Sequence, residues 1–181
     1  METALILIDI QNDYFPGGKW EVPGSVEASL RAGEALEFFR KKMMPVIHIR
    51  HISVRPGAAF FLPRSDGAEI HENVRPISTE TVIEKNYPNS FRDTPLLEVL
   101  KKEGIKQLVV SGMMTQMCID ATARAAFDLR FGCTVLHDAC AARQLMFSDQ
   151  SVPAPQVHAA FLAALNGLYA RVTSVSELIR N

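Results

Sequence analysis

Short apolar runs recur along the chain and alternate with longer stretches of helical periodicity. The first run, Ala-Leu-Ile-Leu-Ile, occupies residues 4–8, and further strands are predicted at 46–49, 82–85, 108–110, 133–137 and 171–172. Segments of this length are too short for most helices and are rich in residues that favour strands. The first run has no polar alternation, which predicts a strand buried on both faces, as in a parallel sheet.

Helices are predicted between these strands. They run from Ser25 to about Lys42, from Thr94 to about Glu103, from Thr115 to about Arg130 and within 153–169, with a final turn at 174–177. The predicted N-caps are Ser25, Thr94 and Thr115. The residues assigned to the apolar side of the first helix are Val26, Leu30, Leu36 and Phe39. Strands that alternate with helices predict an α/β sandwich with a mostly parallel sheet.

Composition limits the classes of function. The length of 181 residues suits one domain over residues 1–181, and 48% of the residues are hydrophobic. The 19 basic and 20 acidic residues nearly cancel, so the charge favours neither a nucleic acid nor a membrane surface as a partner. The N-terminus lacks the pattern of a secretory signal, and three cysteines do not suggest a disulfide framework. We therefore expect a cytoplasmic protein.

Three reactive side chains are predicted at the ends of strands. Asp9 follows the first strand, Lys85 ends the third, and Cys118 comes shortly after the fourth. Ligands of parallel α/β sheets gather at the carboxyl ends of the strands, so these groups are expected to meet. The helix dipole and the Lys85 ammonium are expected to favour a thiolate at Cys118. Asp9 is the expected proton acceptor, and backbone N–H groups at the helix start are the expected donors to an oxyanion.

Each of these residues also has a purely structural explanation. A single cysteine in a helix is commonly a small buried hydrophobe, Asp9 fits a residue that caps a turn, and Lys85 fits a solvated surface charge. The shared position at strand ends favours catalysis, but the spacing by itself leaves both interpretations open. Cys133 and Cys140 are expected to pack in the core.

Three segments together carry a resemblance to a known family. They are Asp-Ile-Gln-Asn-Asp-Tyr-Phe at 9–15, Lys-Asn-Tyr-Pro-Asn-Ser-Phe at 85–91 and Ser-Gly-Met-Met-Thr-Gln-Met-Cys-Ile-Asp at 111–120. In this order they resemble the isochorismatase-like cysteine hydrolase superfamily, which includes nicotinamidases, N-carbamoyl amino acid amidohydrolases and streptothricin-type hydrolases. The resemblance covers nearly the whole chain.

The resemblance implies a fold and a set of catalytic residues. The implied fold is a three-layer α/β/α sandwich with a six-stranded, mostly parallel sheet. The implied catalytic triad is Asp9, Lys85 and Cys118. A non-proline cis peptide is implied between Met113 and Met114, with the N–H groups of Met114 and Cys118 as the oxyanion hole. The resemblance also suggests a homodimer or a higher homo-oligomer.

The stretch after the second strand departs from the metal-bearing nicotinamidases. These carry an aspartate and histidines there, whereas this chain reads His48-Ile49-Arg50-His51-Ile52. Arg50 is assigned to the position of the metal-binding aspartate, and an arginine repels a metal ion. His48 and His51 are three residues apart and so are expected on opposite faces of a strand. We therefore expect neither a metal nor another cofactor.

The long segment at 53–81 has little periodicity and is expected to cover or line the site. Aromatic residues and arginines in it, Phe60, Phe61, Leu62, Arg55 and Arg64 among them, suit a small, partly polar or anionic amide. An oligomer contact is the alternative for the phenylalanines. The residues assigned to substrate binding are Tyr14, Phe15, Phe60 and Arg55.

The expected activity is hydrolysis of an amide, carbamoyl or lactam C–N bond in a small molecule, through a thioester on Cys118. Isochorismatases proper cleave a vinyl ether by aspartate catalysis and lack the cysteine. Ether hydrolysis by Asp9 alone remains an alternative. A non-enzymatic module that binds a small molecule or senses oxidants through Cys118 is a second alternative.

Overall fold

Six parallel strands form the central sheet of the computed structural model, which describes residues 2–180. The strands are β1 (Thr3–Ile8), β2 (Val46–His51), β3 (Thr81–Lys85), β4 (Gln107–Met113), β5 (Gly132–Ala141) and, after a hairpin, β8 (Arg171–Thr173). Their order in the sheet is β3-β2-β1-β4-β5-β8. The hairpin consists of the short antiparallel strands β6 (Leu145–Phe147) and β7 (Gln150–Val152).

Helices cover both faces of the sheet. They are α1 (Ser25–Lys41), α2 (Leu96–Lys102), α3 (Asp120–Asp128), α4 (Ala154–Leu165) and α5 (Val175–Arg180). α1 and α5 contribute to the core on one face, and α2, α3 and α4 contribute to the core on the other. The three-layer α/β/α sandwich with a six-stranded sheet is therefore confirmed. Among residues 2–180, no helix is long and apolar enough to span a bilayer.

β1 shows why the first apolar run has no alternation. Ile6 and Ile8 pack with α2 and α3 on one side, whereas Leu5 and Leu7 pack with α1 on the other. All four side chains are buried. A central strand between two helical layers has no solvent-facing side, so every position from Ala4 to Ile8 is apolar.

The buried face of α1 differs from the prediction. Leu36 and Phe39 are buried, but Val26 is 37% exposed and Leu30 is 55% exposed, so their assignment to the apolar side is wrong. Small residues occupy the rest of the buried face: Ser25, Ala28, Ser29, Ala32 and Ala35. They allow the helix to lie close to the sheet, which leaves the larger Val26 and Leu30 at the edge of the contact.

Two elements depart from the predicted boundaries. The segment Thr115–Ile119 is a π-helical turn, and α3 begins only at Asp120, so Thr115 is not the N-cap of a continuous α-helix. The β6–β7 hairpin was not predicted at all. Its residues Met146 and Phe147 are 61% and 79% exposed. A hairpin with no buried face has no hydrophobic period that the sequence could reveal.

Gly112 lies where β4 passes very close to β1. It pairs in register with Ile8 and has a φ of 128°, outside the range that L side chains readily adopt. A Cβ atom at this position would lie 1.9 Å from the carbonyl oxygen of Ile8. The glycine therefore permits the approach of the two strands whose ends carry Asp9 and the Cys118 turn.

Gly112→Ala is expected to lower the free energy of unfolding by about 3 kcal/mol or more, because the clash involves backbone and the backbone conformation is strained. Gly104→Ala is the matched control, since Gly104 has a φ of 68° but no atom lies within 4 Å of the position that its Cβ would take. For Gly104→Ala we expect the free energy of unfolding to fall by about 1 kcal/mol. Urea denaturation of both variants measures the difference, and equal losses would contradict this account of Gly112.

Candidate active site

The strand order brings four chain segments together at the carboxyl ends of the strands. β3, β2, β1 and β4 are neighbours, and Lys85 and His51 are the last residues of β3 and β2. Asp9 directly follows β1, and the π-helical turn with Cys118 follows β4. The chain winds outwards from β1 to β3 and returns beside β1 as β4, so the site lies at the point where the strand order reverses. This is where α/β sheets bind ligands.

Asp9 is buried and is held by its backbone. Its N–H donates to the carbonyl oxygen of Ile49 at 3.0 Å, and its φ of 51° is a left-handed conformation that aspartate tolerates better than most residues. Its Oδ2 accepts a hydrogen bond from Lys85 at 2.7 Å. Its Oδ1 is buried and has no hydrogen-bond partner among residues 2–180. One carboxylate oxygen is thus available to take a proton.

The ammonium of Lys85 has three acceptors around it. Nζ lies 2.7 Å from Asp9 Oδ2, 3.0 Å from His51 Nδ1 and 3.3 Å from Cys118 Sγ. An ammonium has three N–H donors, so these contacts satisfy it fully. Burial opposes its charge, but Asp9 and Cys118 outweigh burial and raise the pKa of Lys85. Lys85 is therefore a fixed cation and not a proton acceptor.

Cys118 lies in the π-helical turn and is only 5% exposed. Burial raises the pKa of its thiol well above the ordinary value, the Asp9 carboxylate raises it further, and Lys85 opposes both. The expected resting thiolate is therefore wrong. The prediction counted the helix start and the ammonium but not the loss of solvent, which is the largest cause. An oxygen of Asp9 lies within 4.8 Å of Sγ, so the thiol has a proton acceptor close by.

His51 is a member of this cluster that the sequence prediction missed. It pairs in register with Lys85 on the adjacent strand, which explains the contact between their side chains. Its backbone N–H donates to Gln11 Oε1, and its carbonyl accepts from Gln11 Nε2. Burial, with a further contribution from the Lys85 charge, lowers the pKa of His51 to about 4, although Asp9 opposes this. The imidazole is thus neutral, and Nδ1 accepts the hydrogen bond from Lys85.

His48 and Arg50 lie away from the triad. His48 is buried and its Nε2 lies 2.9 Å from Glu80 Oε2, as expected for a residue on the opposite face from His51. The guanidinium of Arg50 bonds the carboxylates of Glu69 and Glu84. Of these neighbours on β2, His51 and not Arg50 lies beside the reactive groups.

The same cluster contains the ligand types of a soft metal. Donor atoms of Asp9, His51 and Cys118 lie within 4.8 Å of one another, the one such group in the described part of the chain. However, Lys85 Nζ bonds to all three residues and so takes the position of a cation. A resident metal ion would meet the ammonium there, and the residues do not fit one.

A cavity of about 300 Å³ opens over the cysteine. Its walls include three of the four residues assigned to substrate binding, namely Tyr14, Arg55 and Phe60. The other lining residues, which the sequence did not assign to the site, are His51, Ser53, Val54, Pro56, Gly57, Ala58, Asn86, Pro88 and Met117. Asn86 belongs to the segment at 85–91 that carries the family resemblance, which is the signal that could have found it.

Phe60 and Phe15 pack against different aromatic rings, and only Phe60 lines the cavity. The ring centroid of Tyr14 lies 6.0 Å from that of Phe60 and 4.5 Å from that of Phe61. Burial raises the pKa of Tyr14 well above its ordinary value, so its phenol is neutral. Phe15 instead stacks on His71 with ring centroids 3.5 Å apart. Phe15 does not line the cavity, so the structure does not bring it to the site. Successive residues around Tyr14 point in different directions, which the sequence does not specify.

The peptide bond between Met113 and Met114 is cis, as the resemblance implied. Met114 and Cys118 both line the cavity. The carbonyl of Met114 accepts from the N–H groups of Met117 and Ile119, which closes the turn that carries Cys118. The turn thus brings both residues assigned to the oxyanion hole to the cavity.

The other cysteines are structural. Cys133 and Cys140 are free thiols in β5, and both belong to the core that α2, α3 and α4 cover. Burial raises the pKa of each to about 12. Their placement agrees with the predicted packing role.

Comparison with known proteins places this geometry in a family. The family model of the isochorismatase domain matches residues 3–177. An isochorismatase family protein of Bacillus subtilis is 49% identical over 180 residues, covering 99% of this chain and 100% of its own. The structure of a putative isochorismatase hydrolase from Oleispira antarctica superposes with a TM-score of 0.96 at 50% identity, covering 99% of this chain and 97% of its own.

A further relative has an assigned reaction. The ureidoacrylate amidohydrolase of Acinetobacter baylyi is 36% identical over 172 residues, covering 77% of this chain and 70% of its own. With the fold and the Asp9–Lys85–Cys118 cluster in place, these matches are sufficient: the chain belongs to the isochorismatase family of hydrolases.

Proposed function

We propose that the protein hydrolyses an amide, carbamoyl or lactam C–N bond in a small molecule through a thioester on Cys118. The observation that carries this proposal is the contact of one ammonium with both a carboxylate and a thiol at the wall of a small cavity. A nucleophile with an adjacent proton acceptor, held by a third group, is the arrangement of covalent acyl-transfer catalysis.

The first half-reaction acylates the enzyme. The thiol proton of Cys118 passes to Oδ1 of Asp9 as sulfur attacks the carbonyl carbon, and the carbonyl oxygen becomes an oxyanion. The oxyanion is bound by the N–H groups of Met114 and Cys118. When it collapses, the C–N bond breaks and Asp9 returns the proton to the leaving nitrogen. The products are a thioester and the free amine or ammonia.

The second half-reaction restores the enzyme. Asp9 takes a proton from a water molecule, whose oxygen attacks the thioester carbonyl. The tetrahedral intermediate releases the sulfur, which recovers its proton from Asp9. The sum consumes one water and yields a carboxylic acid and an amine. Lys85 keeps its three protons throughout and stabilises negative charge on either Asp9 or Cys118.

The relative from Acinetobacter baylyi supports this reaction class, since its name describes amide hydrolysis. Aspartate-only ether hydrolysis does not need the thiol, and a thiol sensor does not turn over. Each alternative therefore predicts a different result from the thioester mechanism when Cys118 is replaced.

Cys118→Ala is expected to lower turnover of a hydrolysed amide by about a thousandfold or more, because no thioester forms without the sulfur. Intact mass spectrometry of the wild type during turnover should show an acyl adduct that the variant lacks. Turnover of carboxamide and carbamoyl substrates is measured as released ammonia, and turnover of lactams is measured as the product acid. Cys133→Ala is the matched control, because that thiol is also buried but lies in β5.

The outcomes separate the alternatives. Cys133→Ala should keep both turnover and the adduct. Ether cleavage that survives in Cys118→Ala would support Asp9 chemistry instead. An oxidised Cys118 with no adduct on any amide of a broad panel would support a sensor.

Asp9→Asn is expected to lower turnover by about a thousandfold, since the amide keeps the shape of the carboxylate but accepts no proton. The buried charge of Lys85 loses its closest partner, so a lower melting temperature is also expected. Turnover measured on protein shown to be folded by circular dichroism separates the two effects. Activity within tenfold of the wild type would exclude Asp9 as the proton acceptor.

His51 gives stability a pH dependence of defined sign. Its pKa is about 4 in the folded protein against an ordinary 6.5, so between these values the unfolded chain binds a proton that the folded chain does not. The free energy of unfolding therefore falls as the pH is lowered from about 6.5 to about 4, by up to about 3 kcal/mol from this group.

His51→Asn is expected to remove this part of the decline, because the amide oxygen accepts from Lys85 without titrating. Urea denaturation of wild type and variant between pH 4 and pH 7 measures the two slopes. Parallel slopes would contradict the neutral, buried state of His51.

A further inference from the structure

Arg55 is the one cation among the described residues that line the cavity, and nothing in the described chain neutralises it. Its neighbours in the wall are aromatic, aliphatic or uncharged polar residues. No carboxylate of residues 2–180 lies within ion-pair distance of its guanidinium, whereas Arg40, Arg50 and Arg124 all have such partners. Arg143 is also engaged, because its guanidinium lies 4.3 Å from the ring centroid of Trp20.

The backbone around Arg55 forms a defined turn. The N–H of Ala58 donates to the carbonyl of Arg55 at 3.1 Å, Pro56 takes the second position, and Gly57 takes the third with a φ of 76°. These are the features of a type II turn. The turn fixes the backbone position of Arg55 at the wall of the cavity.

The segment that carries this turn is anchored at its base. The N–H of Ser53 donates to the carbonyl of Phe61 at 2.8 Å, and the N–H of Phe61 donates to the buried carboxylate of Asp13 at 2.6 Å. Phe61 itself is fully buried. Residues 53–61 therefore form a closed loop that places a cation over the cavity at low conformational cost.

The charge of Arg55 reaches the reactive end of the cavity. It contributes to the lowered pKa of His51, which contacts Lys85. The remaining wall is largely apolar, with Tyr14, Phe60, Met114 and Met117. A ligand that matches these features has an acyl group at Cys118, a short carbon body and an anionic end.

We propose that Arg55 selects substrates that carry a carboxylate, so that the protein acts on small monoamides of dicarboxylic acids. The identity of the scissile bond rests on the proposed function above, but the binding of the carboxylate does not. The guanidinium offers a planar pair of N–H donors that suits a carboxylate.

Matched probes test the proposal. Succinamate, glutaramate and adipamate carry a terminal carboxylate and a primary amide, and butanamide, pentanamide and hexanamide are their neutral counterparts. For at least one chain length, we expect kcat/KM to be about tenfold or more higher for the acid than for its neutral counterpart, because the acid has the lower KM. One charge-assisted hydrogen bond is sufficient for a difference of this size. Arg55→Gln should raise KM for the acids and so remove this preference for the acid over its neutral counterpart. Arg64→Gln should keep the preference, because Arg64 is exposed, lies just after the 53–61 loop and does not line the cavity.

Binding to the Cys118→Ala variant separates this proposal from the proposed function. Saturation-transfer NMR should detect the acid and not its neutral counterpart, and the signal should disappear in Cys118→Ala/Arg55→Gln. This result supports carboxylate selection even if no amide is turned over. No preference at any length, or a preference that persists without Arg55, would overturn the proposal.

Discussion

The buried ammonium of Lys85 is the group on which the site depends. A cation without solvent is costly unless every donor is satisfied and an opposite charge lies beside it. Asp9, His51 and Cys118 together meet both conditions. With Lys85, these residues follow or end β1, β2, β3 and β4 and are far apart in the chain, so these four strands must be assembled before the charge is compensated. The chemistry and the stability of the sheet edge are thus coupled.

The same contacts explain how a protonated thiol serves as a nucleophile. In the resting site, the negative charge is on Asp9. When the proton moves from Cys118 to Asp9, the negative charge moves to sulfur, and the net charge of the buried cluster is unchanged. Lys85 bonds both atoms, at 2.7 Å and 3.3 Å, so it stabilises the charge before and after the transfer. A low resting pKa of the thiol is therefore not needed, because the proton acceptor and the cation act together.

Local patterns were sufficient to predict the six strands of the central sheet and the positions of the triad residues at their ends, because buried parallel strands are short and continuously apolar and their carboxyl ends converge by topology. The resemblance supplied the cis peptide. The protonation state of Cys118 was mispredicted because burial depth is a tertiary property. His51 was missed as a partner of Lys85 because that contact depends on the register of β2 against β3. The orientations of Phe15 and Val26 likewise depend on neighbours distant in sequence.

Residues 53–61 show why selectivity was the least predictable part of the site. The triad lies on strands whose positions follow from the sheet, whereas this loop is positioned by individual polar contacts. The buried carboxylate of Asp13 holds Phe61, and the amide of Gln11 joins the end of β2 to Ala68. Both anchors lie in the segment that follows Asp9. The loop is therefore fixed relative to the nucleophile, although its exposed residues, such as Arg55, can change without disturbing the sheet. Catalytic chemistry and substrate selection thus depend on separate sets of interactions.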